Sequence, residues 1–126
     1  MVLDTKWATE KTILIVEDDA ATGELLCLFL SEETPHRAIL VPDGFQALNV
    51  IKDITPDLFL LDYRLPRMNG KELYNQLRTT KGLEHIPTIM TSTNALEQEA
   101  GDLNVTVCLK PFDLDELLAT IEKLLT

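Results

Sequence analysis

Cysteine is scarce in this 126-residue chain: Cys27 and Cys108 are the only two. Both fall inside predicted elements among apolar neighbours. They make neither a disulfide framework nor a metal site and read as buried, reduced thiols of a cytosolic protein. Long apolar runs are missing. None approaches the roughly 18 residues of a membrane span. The first eleven residues carry Asp4, Lys6, Glu10 and Lys11 and lack the apolar core of a secretory signal. Positive charge is short as well. Eleven Lys and Arg against 21 Asp and Glu leave a net charge of −10, which argues against nucleic acid and against an anionic membrane surface as partners. Among the five glycines there is no Gly-x-Gly-x-x-Gly and no Gly-x-x-x-x-Gly-Lys-Ser/Thr, so the usual phosphate cradles of dinucleotide and nucleoside triphosphate sites are absent. The two histidines, His36 and His85, fall in predicted loops and read as surface residues.

What the chain has is alternation. Residues 1–11 read as a partly ordered tail with Trp7 packed back onto the rest, and residues 12–126 as a single domain. A strand precedes a helix five times. Residues 12–16 form the first strand. A helix follows over 20–31, capped by Asp19, with Leu25, Leu26, Leu28, Phe29 and Leu30 as a broad apolar face. Residues 37–41 form a short second strand. The second helix follows Pro42-Asp43-Gly44, with Phe45, Leu48 and Ile51 at helical spacing, and ends at Thr55-Pro56. Residues 57–61 form a third strand, apolar on both faces from Leu58 onward, as a central parallel strand is. A third helix starts at Gly70 behind Asn69 and carries Leu73, Tyr74 and Leu77. Residues 86–90 form the fourth strand. Residues 94–100 suit a helix of under two turns that only tertiary packing would hold. Residues 105–109 form the fifth strand. After Pro111 a fifth helix, capped by Asp113, places Leu114, Leu117, Leu118, Ile121, Leu124 and Leu125 on the helical period. Such alternation implies an α/β fold with helices on both faces of a parallel sheet. Right-handed crossovers leave few topologies, and a doubly wound five-stranded sheet of order 2-1-3-4-5 is expected.

Polar residues punctuate the strand ends. Glu17, Asp18 and Asp19 follow the first strand, Asp62 the third, Thr91 and Ser92 the fourth, and Lys110 the fifth. Ligands of open parallel sheets bind outside the carboxyl ends of the strands, so one crevice gathers a carboxylate cluster, a hydroxyl and an ammonium. Two ionised carboxylates about 4 Å apart repel by about 4 kcal/mol at an effective dielectric near 20, and Glu17 adds a third charge. Such a cluster binds a cation or takes up a proton. A few oxygen ligands with open positions suit Mg²⁺, with Mn²⁺ as a substitute. A metal ion, an ammonium and a hydroxyl around a carboxylate make a phosphoryl-transfer site. On this reading Asp62, in the middle, attacks phosphorus. Asp18 binds the metal directly, Glu17 mostly through water, and the backbone carbonyl of Arg64 adds a ligand. Each residue alone has a plainer reading as a solvated turn, a loop hydroxyl or a surface lysine. Their joint occurrence at four corresponding strand ends speaks against it.

Val16-Glu17-Asp18-Asp19, Asp62-Tyr63-Arg64-Leu65-Pro66-Arg67-Met68-Asn69-Gly70, Thr91-Ser92 and Lys110-Pro111-Phe112 resemble the receiver domain of bacterial two-component response regulators, over nearly the whole chain. The resemblance implies a flavodoxin-like, CheY-like three-layer sandwich. It implies that Asp62 accepts a phosphoryl group from a phosphohistidine on a sensor histidine kinase or phosphotransfer protein, with Mg²⁺ on Asp18 and Glu17 assisting. Thr91, with Ser92 beside it, would turn inward to bond the phosphoryl group, and Lys110 would pair with one of its oxygens. The domain would then be a cytoplasmic phosphoacceptor switch and not an enzyme, its only chemistry being its own phosphorylation and dephosphorylation. A shift between two pre-existing states of the face made by the fourth helix, fifth strand and fifth helix would carry the signal to a downstream protein. The same face is a candidate homodimer surface.

The chain also departs from that pattern. Receivers often carry Tyr or Phe three positions before the lysine; here stands Val107, apolar, stiff at χ1 and too small to swing between two sites. The segment between Ser92 and Val105 looks shortened at the fourth helix. Arg64, near the mouth of the crevice, reads either as a solvated charge or as a screen over the phosphoryl group. Two other classes compete. A haloacid dehalogenase-like phosphohydrolase also uses a nucleophilic Asp with Mg²⁺, but its nucleophile usually ends the first strand as Asp-x-Asp, and no substrate-capping insertion is present here. A pseudo-receiver would keep the fold as an interaction module without phosphorylation, yet every site residue is in place. No output domain follows the last helix, which leaves a stand-alone receiver or a piece of a longer protein.

Overall fold

The computed structural model describes residues 9–93 and 105–126. The expected short helix at 94–100 and the packing of Trp7 lie outside the described residues. Five parallel strands, β1 (Thr12–Val16), β2 (Arg37–Val41), β3 (Leu58–Asp62), β4 (Thr88–Ser92) and β5 (Val105–Leu109), form one sheet of order β2-β1-β3-β4-β5. Described helices are α1 (Ala20–Glu33), α2 (Gly44–Val50), α3 (Gly70–Arg78) and α4 (Leu114–Leu125). The last of these is the helix expected as the fifth.

Alternation along the strands builds two cores. Leu14, Val16, Phe59 and Leu61 pack with Ala47 of α2 and Leu73, Tyr74 and Leu77 of α3. Ile13, Ile15, Leu58 and Leu60 pack with Leu26 and Leu30 of α1 and Leu117 and Ile121 of α4. Three layers result. Each described helix opens on the side chain that its sequence offers. Asp19 accepts from the Thr22 amide, Asp43 from Gln46, and Asp113 from Asp115 and Glu116. Asn69 and Glu72 make a reciprocal capping box.

Several boundaries move. Pro87 has no N–H to give a ladder, so β4 begins at Thr88 and runs on through Ser92. Asp57 leaves β3 because its carboxylate accepts the Thr12 amide at 2.8 Å, and the strand runs one residue further, to Asp62. Asp62, Thr91 and Ser92 are therefore the last residues of their strands rather than the first of their loops. α1 continues to Glu33 and stops where the amide and hydroxyl of Thr34 both donate to the Leu30 carbonyl. α2 ends earlier than expected, at Val50, well before Pro56.

The apolar face of α1 is narrower than its leucines suggest. Leu26 and Leu30 are buried, whereas Leu25 and Leu28 are 50% and 56% exposed. His36 is a correction too. It is buried, and its Nδ1 accepts the Lys11 amide at 2.9 Å; His85 is exposed as expected. Cys27 and Cys108 are free thiols, half-buried rather than fully so. Burial pushes both thiols above their ordinary value. Among the described residues no helix is long and apolar enough to cross a membrane.

Candidate phosphoryl-transfer site

The ends of β1, β3, β4 and β5 meet in one crevice. Beyond β1, the Glu17 amide donates to the Val41 carbonyl of β2 at 3.1 Å, and the Glu17 side chain is buried. Its Oε2 accepts the Asp19 amide at 3.1 Å, and Asp19 in turn caps α1. Asp18 is thus pinned between two anchored neighbours while its own carboxylate stays exposed. Asp62 ends β3, in register with Thr91, and is buried. Its Oδ1 accepts the Arg64 amide at 3.2 Å. The loop beyond is closed by Gly70, whose amide donates to the Tyr63 carbonyl at 2.7 Å. A Cβ on Gly70 would run into the Asp62 carbonyl oxygen, so only glycine fits there.

From β5, the Lys110 amide donates to the Ser92 carbonyl at 2.8 Å. Its ammonium lies 2.7 Å from Glu17 Oε1 and 3.3 Å from Asp62 Oδ2. Burial alone would depress the lysine, but the hydrogen bond to Glu17 and the charges of Asp62 and Glu17 outweigh it and hold the ammonium above its ordinary pKa. Desolvation, a side-chain hydrogen bond to the Glu17 carboxylate and the Glu17 charge push the Asp18 carboxyl up. Glu17, Asp18 and Asp62 each offer an oxygen within 4.8 Å of the other two. That spacing and the oxygen-only donor set fit a hard divalent cation such as Mg²⁺.

The two hydroxyls differ. Both residues are buried, but the Thr91 hydroxyl donates to the Leu61 carbonyl at 3.4 Å, back along β3. Ser92 stands one residue further out on β4. Arg64 is exposed, with its backbone amide on Asp62. The direct bond between Lys110 and Glu17 was not foreseen, since the lysine was expected on a phosphoryl oxygen. Asp43 and Arg67, which pair at 3.2 Å, carry no signal of that pairing in the sequence. Twenty-four positions separate them, and no local pattern joins them.

Residues 13–122 match the profile of the response regulator receiver domain. The chain belongs to that family. Among its relatives, the DNA-binding response regulator MtrA of Mycobacterium tuberculosis is 36% identical over 117 residues, covering 86% of this chain and 48% of that protein. This receiver domain therefore spans about half the length of the curated relatives it matches. Solved receivers superpose well. A putative response regulator from Chloroflexus aurantiacus gives a TM-score of 0.85 at 27% identity, covering 93% of this chain and 98% of that one. The receiver domain of a Pseudomonas aeruginosa sensor histidine kinase, solved with a magnesium ion coordinated in its active site cleft, gives 0.83 at 26% identity, with 93% and 98% covered. Within this receiver domain Val107 lies on β5, half-buried and in register with Met90; no aromatic stands at that position.

Proposed function

We propose that this receiver domain is a phosphoacceptor switch whose nucleophile is Asp62. A carboxylate oxygen of Asp62 attacks the phosphorus of a phosphohistidine on a histidine kinase or phosphotransfer protein. The P–N bond breaks, and the imidazole leaves with the electron pair. Asp18, Asp62, the Arg64 carbonyl and, through water, Glu17 would hold Mg²⁺ or Mn²⁺. The bound cation supplies charge neutralisation for the phosphoryl oxygens. Lys110 turns from Glu17 toward one of those oxygens. A phosphoryl group on Asp62 extends beyond the end of β3, and a strand advances by ~3.3 Å per residue. Ser92 is therefore level with that group, while Thr91, in register with Asp62 itself, keeps its hydroxyl on Leu61. Later hydrolysis of the aspartyl phosphate resets the switch, so the domain turns over no separate substrate. A cytoplasmic setting and a downstream protein target belong to this reading, as does the α4–β5 face as the outlet of the signal.

The observation that carries it is the meeting of three carboxylates within 4.8 Å around an ammonium that already touches Asp62. The test is intact mass after incubation with acetyl phosphate and Mg²⁺. The expected result is a gain of one phosphoryl group, lost on chelation of the metal and lost in Asp62→Asn. Absence of any gain in the wild type would return the chain to the pseudo-receiver reading.

A further inference from the structure

Among the described residues, Arg67 is the one non-glycine residue with a left-handed backbone, at φ 67°. A long side chain there carries strain that persists only where the surroundings impose it. The Met68 amide donates to the Pro66 carbonyl at 2.7 Å and closes a tight turn about Arg67, and three contacts hold that turn in place. The guanidinium meets Asp43 Oδ2 at 3.2 Å and lies 4.9 Å from the centroid of the Phe45 ring. The neighbouring Met68 sits so close over Gly44 that a Cβ there would meet its sulfur at 3.0 Å. Asp43 is buried and uses its other oxygen to cap α2, accepting the Gln46 amide at 2.8 Å.

The placement of these partners matters. Asp43 and Phe45 follow the end of β2, where the Val41 carbonyl holds the Glu17 amide. Arg67 belongs to the loop after β3, where the Arg64 amide holds Asp62. β1 lies between β2 and β3 in the sheet. Arg67 therefore ties together the two turns that flank Glu17 and Asp18.

We propose that Arg67 is a positioning residue for the metal and phosphoryl site, an inference that rests on the function proposed above. Its clamp on Asp43 and Phe45 fixes the 63–69 loop, and with it the Arg64 peptide, whose amide bonds Asp62 and whose carbonyl completes the metal site. An ion pair with one exposed partner adds little to stability. Its effect falls on ligand geometry, where supporting partners matter far more.

The test compares the full chain with Arg67→Gly, which accepts the left-handed backbone but lacks the clamp, and Asp43→Asn, which keeps a helix cap but loses the charge. Magnesium chloride is titrated into ¹⁵N-labelled protein while the Tyr63 and Arg64 amide resonances are followed. Solvent exchange of the Arg64 amide is measured without metal. Both variants should bind Mg²⁺ roughly tenfold more weakly, with faster Arg64 exchange, and the double variant should be no worse than Arg67→Gly. Should Arg67→Gly fail to fold, Asp43→Asn alone decides. Wild-type affinity and exchange in a folded variant overturn the positioning role while phosphorylation of Asp62 stands. A wild-type protein that takes up no Mg²⁺ overturns both.

Discussion

Protonation of His36 opposes folding. Burial lowers its pKa from 6.5, Lys11 lowers it further, and Asp57 and Glu10 only partly offset this. The unfolded chain therefore takes up the proton before the folded one does. Stability from this group is complete above the ordinary histidine value and is lost as pH falls below it, through the lower folded value. Urea midpoints measured from about pH 7 to about pH 5 should fall in the wild type. In His36→Asn they should fall less, because the amide oxygen can take over the Lys11 N–H bond without titrating; parallel curves would remove His36 as the cause. His36 also marks where reading the chain stops working. The Glu17-Asp18 pair, Asp62 and Lys110 were legible because each stands directly after a largely apolar run, and the topology of a parallel sheet sends all such positions to one edge. The burial of His36 and the pairing of Arg67 with Asp43 depend on what other segments bring alongside, and neighbours in sequence carry no trace of that.

Elements were legible where local chemistry decides them. Asp19, Asn69 and Asp113 cap the helices at the places their side chains mark. Boundaries slipped where the ladder decides, as in β3 and β4, because pairing with a neighbour extends a strand past its last apolar residue. The α3 start shows how tightly an element can be tied to the site. Gly70 is both the first residue of α3 and the closure of the loop behind Asp62. In Gly70→Ala the new methyl meets the Asp62 carbonyl oxygen and the Tyr63 Cα, both backbone atoms that cannot swing aside. The helix start or the end of β3 must shift. Thermal or urea unfolding should show a loss of about 1–3 kcal/mol, and labelling of Asp62 by acetyl phosphate should slow. Wild-type stability would mean the loop relaxes without disturbing β3.

At the scale of the whole molecule, the site is a local concentration of a general excess. The chain carries ten more negative than positive charges, and three of its carboxylates converge beside Lys110, which pairs with two of them. The folded state brings these groups together and the unfolded state does not, so a cation that binds the cluster should stabilise the entire domain. At ten times its dissociation constant such a ligand contributes about 1.4 kcal/mol, a Tm rise of roughly 3–6 °C for a domain of this size. Mg²⁺ should produce that rise in the wild type. Asp18→Asn should abolish most of it. Without metal the same variant should be at least as stable as the wild type, because it removes a carboxylate whose charge is already disfavoured by desolvation and by Glu17. Lowering the pH toward the range where Asp18 takes up a proton should shrink the Mg²⁺ effect, since proton and metal compete for the same oxygens. The two arms separate a cation site from ordinary charge screening. Sodium chloride at matched ionic strength relieves repulsion between exposed charges throughout the molecule and should raise the wild type and Asp18→Asn alike. A Mg²⁺ rise of the same size in both proteins would show that the cluster is merely acidic and holds no ion.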